Sequence, residues 1–442
     1  MLASLAMIAF FASPPLCAPI TPELAARLQA MSPDETIAVL FTLQSSVDAP
    51  RLSRALSRAR VSGEDRHYTV VTSLQEAWRE EGAAFRTEVD RLRSLGSVVG
   101  SSEYWIASAV VVRGTRAAIE ALATHRSVVA AELDFRPRLI VPADVGPAAE
   151  RHAGGVEPGL RAIQADRVWY DFGLHGEGTL VACLDTGVAG YHAALGARWR
   201  GRGNDPRSAW HNVLDPTSRA PSDGHGHGTH VMGIMVGLDA EAGDTLGVAF
   251  GAEWIAANAL SFQVPDSSFA NSVLESFQWF ADPDGDPATS DDVPDVLQNS
   301  WGVLESEGYR RCDPHWWGAI DNLEAAGTVV IFSAGNEGPG RASLRSPADR
   351  ADTPLQNFSV GAVSANGEVF PYPIAAFSSR GPSTCPPGTA IKPEIVAPGV
   401  GVYSSWISPE VCNVASGTSM AGPHVAGVVL LMRPGQPRPD RR

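Results

Sequence analysis

The chain has 442 residues, 44% of them hydrophobic and 19% charged, which suits a globular protein of more than one domain and excludes a disordered one. Its formal net charge of −15 argues against nucleic acid and against anionic membrane surfaces as partners. Nearly all of that negative excess lies beyond residue 150.

In chain order, Leu2 to Ala12 is an apolar run that ends in Ser13-Pro-Pro-Leu-Cys-Ala18. It is too short to span a bilayer and predicts a secretory leader over residues 1–18, hence a secreted, extracellular or periplasmic protein. No other segment reaches eighteen apolar residues, so no membrane association is expected. Residues 19–135 read as a small α+β domain. Thr36 to Leu43 is a strand, and an amphipathic helical pattern runs from about Tyr68 to Leu95 and stops at Gly96. Val98-Val99 and Ala107 to Arg113 resemble paired strands, Thr115 N-caps a helix to Ala123, and Val128 to Leu133 is a last strand. The order β-α-β-β-α-β is that of a ferredoxin-like module.

Residues 136–160, rich in Pro, Ala and Gly, read as a linker. From 161 to 432, strands alternate with helices. The strands are predicted at 179–184, 296–298, 329–332, 358–363 and 394–397, and the helices at 228–237, 269–280, 315–326 and 419–432. That alternation predicts an α/β fold with a parallel sheet covered by helices on both faces, and an active site at the carboxyl ends of the strands. Residues 433–442 are Pro/Arg-rich and predict a disordered tail. Of five cysteines, Cys17 leaves with the leader and Cys183 reads as a buried thiol. One disulfide is expected among Cys312, Cys385 and Cys412, without a choice of pair.

Four short segments could carry chemistry. Leu184-Asp185-Thr186-Gly187 leaves a carboxylate at a strand end. An aspartic-protease dyad would need a second such segment, and none occurs. His225-Gly-His-Gly-Thr-His230 first suggests a metal site, but it has no His-Glu-x-x-His pattern and no clear flanking carboxylate or cysteine ligand; the other reading is one imidazole as a general base, with glycines packed beside it. Ser300-Trp301-Gly302 and Ala334-Gly335-Asn336 follow apolar strands, where small residues admit an extended substrate and a carboxamide can donate to an oxyanion. Gly417-Thr-Ser419-Met-Ala-Gly-Pro423-His424 puts a hydroxyl at a helix N-terminus, with Pro423 read into the first turn. Together these are the parts of acyl-transfer catalysis. The order Asp185, His227, Ser419 is the order of the subtilisins, and only 23 residues after Ser419 exclude the α/β-hydrolase order.

On the stretches Ala182–Gly187, His227–Val231, Ser333–Gly338 and Gly417–His424, the chain resembles the subtilisin-like serine proteases. Asn299-Ser-Trp-Gly302, Asp282-Pro-Asp-Gly-Asp286 and Ile391 to Gly399 resemble the bacillopeptidase F-like branch. The resemblance implies a secreted serine endopeptidase made as a self-processing precursor. Asp185 would orient His227, His227 would be the base, Ser419 the nucleophile, and Asn336 with the Ser419 N–H the oxyanion hole. Ser300, Trp301 and Gly302 would bind the substrate backbone opposite Ala334 and Gly335, with the Trp301 indole in the wall of an apolar subsite. The first domain would be an inhibitor and folding chaperone released by a cut near 135–160. Polypeptide substrates and that domain are the expected partners, and the chain is expected to be monomeric. No cofactor is expected for the chemistry. A structural Ca²⁺ on Asp282, Asp284 and Asp286 is a further expectation, although the loop fails the EF-hand pattern, with Val293 where the bidentate Glu belongs. A metal-dependent hydrolase using His225, His227 and His230 is the competing expectation, and an inactive homologue another. Family members continue past the serine helix with a further helix and strand, so the change to Arg433-Pro-Gly-Gln-Pro predicts an under-packed Ser419 helix.

Overall fold

The computed structural model describes residues 20–135, 137–149, 155–260, 271–353, 356–367, 369–385, 391–408 and 411–433. The expected leader and all but the first residue of the expected tail lie outside them. The N-terminal unit holds a four-stranded antiparallel sheet in which Val98–Tyr104 pairs with Ala109–Thr115, that strand with Thr36–Leu43, and Thr36–Leu43 with Val128–Leu133. This is the ferredoxin-like order. The long helical pattern is two helices, Gly63–Glu81 and Ala83–Ser94, because Gly82 ends one and starts the next. Helices Pro22–Ala30 and Ala49–Arg58 were not legible; each opens with proline in its first turn behind a capping Thr21 or Asp48.

Alternation along the strands sends side chains to two different places. Val39, Phe41, Val110 and Val112 pack with Phe85, Val89 and Ile119 inside the unit. Leu40, Val111, Val70 and Leu74 belong instead to a core shared with Phe277, Ile320 and Leu323 of the second unit. The N-terminal unit is therefore docked through an apolar face.

The second unit is built on a seven-stranded sheet whose paired strands all run parallel. From one edge it runs Ile395–Pro398, Phe358–Val363, Val329–Ser333, Val296–Asn299, Leu180–Asp185, Glu253–Asn258 and Trp210–Asn212. The last two strands were missed: one is alanine-rich and the other three residues long. Helices His227–Val236 and Thr418–Met432 contact each other beside the sheet, while Ser272–Ala281 and Trp317–Ala326 form the layer that meets the N-terminal unit. The Ser419 helix is well packed, contrary to expectation: Thr418 to His424, Ala426, Gly427, Leu430 and Leu431 are all buried. Cys312 and Cys385 form a disulfide, and Cys183 and Cys412 are buried outside any disulfide.

A charged cluster joins the two units. His315 Nδ1 lies 3.0 Å from Glu132 Oε1, and Arg310 donates to Glu132 Oε2 at 3.0 Å. Asp134 Oδ1 accepts from Asn271 Nδ2 at 2.8 Å and lies 4.0 Å from His315 Nε2, while Asp313 Oδ2 is 3.5 Å from Arg310 Nε. Burial works against a charged His315, but the Glu132 hydrogen bond and the charges of Glu132, Asp134 and Asp313 together raise its pKa. Burial likewise opposes ionised Glu132, yet His315 and Arg310 lower it. Asp313 is raised by burial and by Glu132. The His315 contribution is full below the ordinary imidazole value and lost as pH rises through the raised one; that of Glu132 is lost as pH falls through its lowered value. In the Ser419→Ala chain, Glu132→Gln is therefore expected to cost about 3–5 kcal/mol near pH 6, the range for breaking a buried pair, and less as pH rises past the imidazole range. Thermal unfolding of the two chains across pH checks the trend.

Candidate active site

Asp185 ends a central strand and is fully buried. Its Oδ1 lies 2.7 Å from His227 Nδ1 and also accepts the Thr186 N–H at 2.8 Å. His227 is the first residue of its helix, entered through Gly226 at φ +101°, a conformation that favours glycine. A Cβ at Gly228 would stand 2.1 Å from the Gly187 oxygen, so only glycine lets this helix approach the Asp185 turn. Asp223, which sequence reasoning missed, holds the helix start. Its carboxylate accepts the N–H groups of His225, Gly226 and Thr229 at 2.8–3.0 Å and the Thr229 hydroxyl at 2.7 Å.

The three histidines do not converge on a metal. His230 turns away, its Nε2 3.2 Å from the Val402 and Asn413 oxygens, and burial pushes its pKa down to about 3. Among the described residues, neither metal-capable side-chain cluster contains any of the three.

Ser419 is the second residue of its helix and fully buried. Pro423 lies in the second turn, not the first. The Ser419 oxygen that an N–H at position 423 would bond has the Ser300 hydroxyl 3.5 Å away. Beside it, the N–H and hydroxyl of Thr418 donate to Asn336 Oδ1 at 2.9 and 3.0 Å. With its oxygen so engaged, Asn336 turns Nδ2 into the cleft. Thr418 is thus the residue that fixes the donor, and no spacing in the sequence reveals it.

The cleft is filled by the chain's own segment 138–143, which had been read as a linker. Arg138–Leu139 pairs antiparallel with Trp301–Gly302, and the Ile140 N–H donates to the Ser300 oxygen at 3.1 Å. Ser419 Oγ donates to the Ile140 oxygen at 3.1 Å, and Asn336 Nδ2 donates to the Val141 oxygen at 2.9 Å. His227 Nε2 is buried without a hydrogen-bond partner. The Ala143 N–H then bonds the Ser416 oxygen at 2.7 Å, and Asp144–Ala149 runs antiparallel to Cys412–Ser416.

Trp301 contributes backbone only. Its indole donates to Asn299 Oδ1 at 2.9 Å and packs on Trp316 and Phe332 in the core, away from the pocket wall where it was expected. Ala334 is buried, and Gly335, at φ +112°, leaves room beside Glu337 and Ser379. The side chain that backs Gly302 and Gly335 is Arg345, bonded to Glu337 Oε1 at 2.6 and 2.9 Å and to the Gly302 oxygen at 3.3 Å.

The family model of the subtilases matches residues 176–438. The chain belongs to the subtilase family. It is 31% identical over 401 residues to bacillopeptidase F of Bacillus subtilis (strain 168), covering 86% of this chain and 26% of that protein. It is 34% identical over 278 residues to subtilisin-like protease 3 of Pseudogymnoascus destructans (strain ATCC MYA-4855 / 20631-21), covering 63% of this chain and 56% of that protein. The chain thus spans about a quarter of the first relative and little over half of the second. The solved structure titled S41 Psychrophilic Protease is similar with a TM-score of 0.49 and 26% identity, over 64% of this chain and 85% of that one.

Gly228→Ala forces a Cβ into the Gly187 carbonyl. It is expected to destabilise by about 1–3 kcal/mol, the usual cost of overpacking, and to separate His227 from Asp185. A lower denaturation midpoint together with lost hydrolytic activity would register both effects.

Proposed function

We propose that the chain is the precursor of a secreted serine endopeptidase, and that it cuts itself between Ile140 and Val141. The observation that carries the reading is the placement of segment 138–143, antiparallel to Trp301–Gly302, with the Ile140 carbonyl against Ser419 and the Val141 carbonyl against Asn336. A peptide held so is presented to the nucleophile.

In the proposed reaction, Ser419 Oγ attacks the carbonyl carbon while His227 Nε2 takes its proton. Asp185 holds the opposite ring nitrogen and stabilises the imidazolium. Asn336 Nδ2 and the Ser419 N–H receive the oxyanion, aided by the helix N-terminus. The C–N bond then breaks, and His227 returns the proton to the leaving amine. Water, deprotonated by His227, hydrolyses the acyl ester and frees Ser419. The unpartnered Nε2 supports this role, because its lone pair is kept for the proton.

Two bonds lie beside the nucleophile, and chemistry favours the first. Val141–Pro142 is a tertiary amide whose ring restricts both neighbours. Ile140–Val141 has its acyl carbonyl already at Ser419, and moving Asn336 Nδ2 onto it requires a shift of one carbonyl. The N-terminal unit then acts as a docked inhibitor and folding partner, which its shared apolar core supports. Secretion fits the leader-like N-terminus, and no helix among the described residues is long and apolar enough to cross a membrane.

Expressing residues 19–442 is expected to give two fragments, the larger beginning at Val141 by N-terminal sequencing. The Ser419→Ala chain is expected to stay whole. A larger fragment that begins far from Val141, or cleavage of the Ser419→Ala chain, overturns self-processing at this bond. Asn336→Ala is expected to slow processing about 10²–10³-fold, the loss known for removing one such donor from a subtilisin.

A further inference from the structure

A cut between Ile140 and Val141 leaves the chain beyond that bond attached to the rest of the protein at two places. The Ala143 N–H donates to the Ser416 oxygen at 2.7 Å, and Asp144–Ala149 pairs antiparallel with Cys412–Ser416. Further on, Gly155–Val156 pairs parallel with Asp244–Thr245. None of these contacts involves a residue before the cut.

The edge that carries the strand is a braced template that ends at Ser419. Cys412–Ser416 leads through Gly417 into the Ser419 helix, and on its other side it pairs with Val402–Ser405. The Ser404 and Ser405 hydroxyls donate to the His230 and Thr229 oxygens at 2.8 and 2.9 Å. With His230 Nε2 3.2 Å from the Val402 and Asn413 oxygens, this small sheet is tied to the His227 helix. Asp144–Ala149 is the outermost of its three strands. Ala143 and Asp144 are exposed, and Val145 is 45% exposed. The first part of the strand is therefore held by its backbone rather than by its side chains, a mode of binding that other extended polypeptides can share.

We propose that Cys412–Ser416 is the edge on which the enzyme takes the part of a polypeptide that follows the scissile bond, and that Asp144–Ala149 stays on this edge after the cut as a competing occupant. The proposal rests on self-processing at Ile140–Val141. Anchored again at Gly155, the strand competes at an effective concentration on the order of millimolar, far above that of a dilute substrate. A freshly cut enzyme then accepts substrates that end at the scissile bond, while longer polypeptides enter only when the strand is displaced.

The test compares two substrates that share the sequence of Arg138 to Ile140: a peptidyl anilide, and a peptide that continues past the bond for the length of Val141 to Ala149. Consecutive N–H groups of a strand point to opposite sides, so Val145→Pro combined with Gly146→Pro removes an inward N–H in either phase. A Cβ at Gly146 would have its nearest neighbour, the Val414 oxygen, at 3.5 Å, so no clash is introduced. Once processed, the double variant is expected to cut the long peptide with a kcat/KM at least about tenfold above the parent's, and the anilide within about twofold, as loss of a tethered competitor requires. If the variant does not process, hydrogen exchange decides on the processed parent, inactivated with a serine-directed fluorophosphonate. The amides of 144–149 are expected to stay as protected as in the uncut Ser419→Ala chain. Equal kcat/KM on the long peptide for parent and variant, or loss of that protection on cutting, overturns the proposal. Folded, processed chains that cut neither substrate overturn the endopeptidase reading, and this proposal with it.

Discussion

Asp185 is fully buried, and its 2.7 Å contact with His227 is the constraint from which the rest of the cleft follows. A carboxylate in that position demands a polar partner, and the partner must be brought in on a helix that nearly touches the strand end. Gly228 makes the approach possible by having no Cβ, and Gly187 likewise admits the Ser222 carbonyl just before Asp223. Asp223 then satisfies the N–H groups at the start of that helix, which fixes the backbone that carries His227. With Nδ1 committed to Asp185, the other ring nitrogen is left facing the cleft.

A second constraint joins the Asn336 carboxamide to the Ser419 helix. Thr418 and Asn336 are far apart in sequence, yet two hydrogen bonds make the donor and the Ser419 helix one rigid piece. Parallel register brings both to one edge: Asn299 is aligned with Leu184 and Phe332, so Ser300, Asp185 and Ser333 emerge together. The occupant of this edge is the chain itself. Backbone pairing on both sides of Ile140 explains how a Pro- and Ala-rich stretch with little side-chain character takes up an ordered path.

Legibility in the sequence followed the range of the forces involved. Apolar runs such as Val329–Ser333 and Phe358–Val363, and the Thr115 cap, depend on neighbours in sequence and were readable. The alanine-rich strand Glu253–Asn258 was not, since only its place between two other strands makes it one. Asp185, His227, Asn336 and Ser419 were singled out through motif and order, but Thr418 and Arg345 act on residues 82 and 43 positions away, and Asp223 caps its helix from outside the motif. The Trp301 indole was misplaced because strand alternation, which sends it to the core, cannot be phased from a two-residue strand. Segment 138–143 was read from composition as a linker. Its partners, backbone groups and the side chains of Asn336 and Ser419, lie more than 150 residues away, and composition says nothing about those.

The shared apolar core and the His315 cluster hold the N-terminal unit against helices Ser272–Ala281 and Trp317–Ala326, so that unit is docked while segment 138–143 fills the cleft. The most direct measurement is labelling with a serine-directed fluorophosphonate, followed by peptide mapping of the uncut and processed chains. The account predicts that the label sits on Ser419 of the processed chain, and that the precursor is protected while residues 138–143 occupy the cleft. A folded, processed chain whose Ser419 stays unlabelled, with activity abolished by a metal chelator instead, would contradict it.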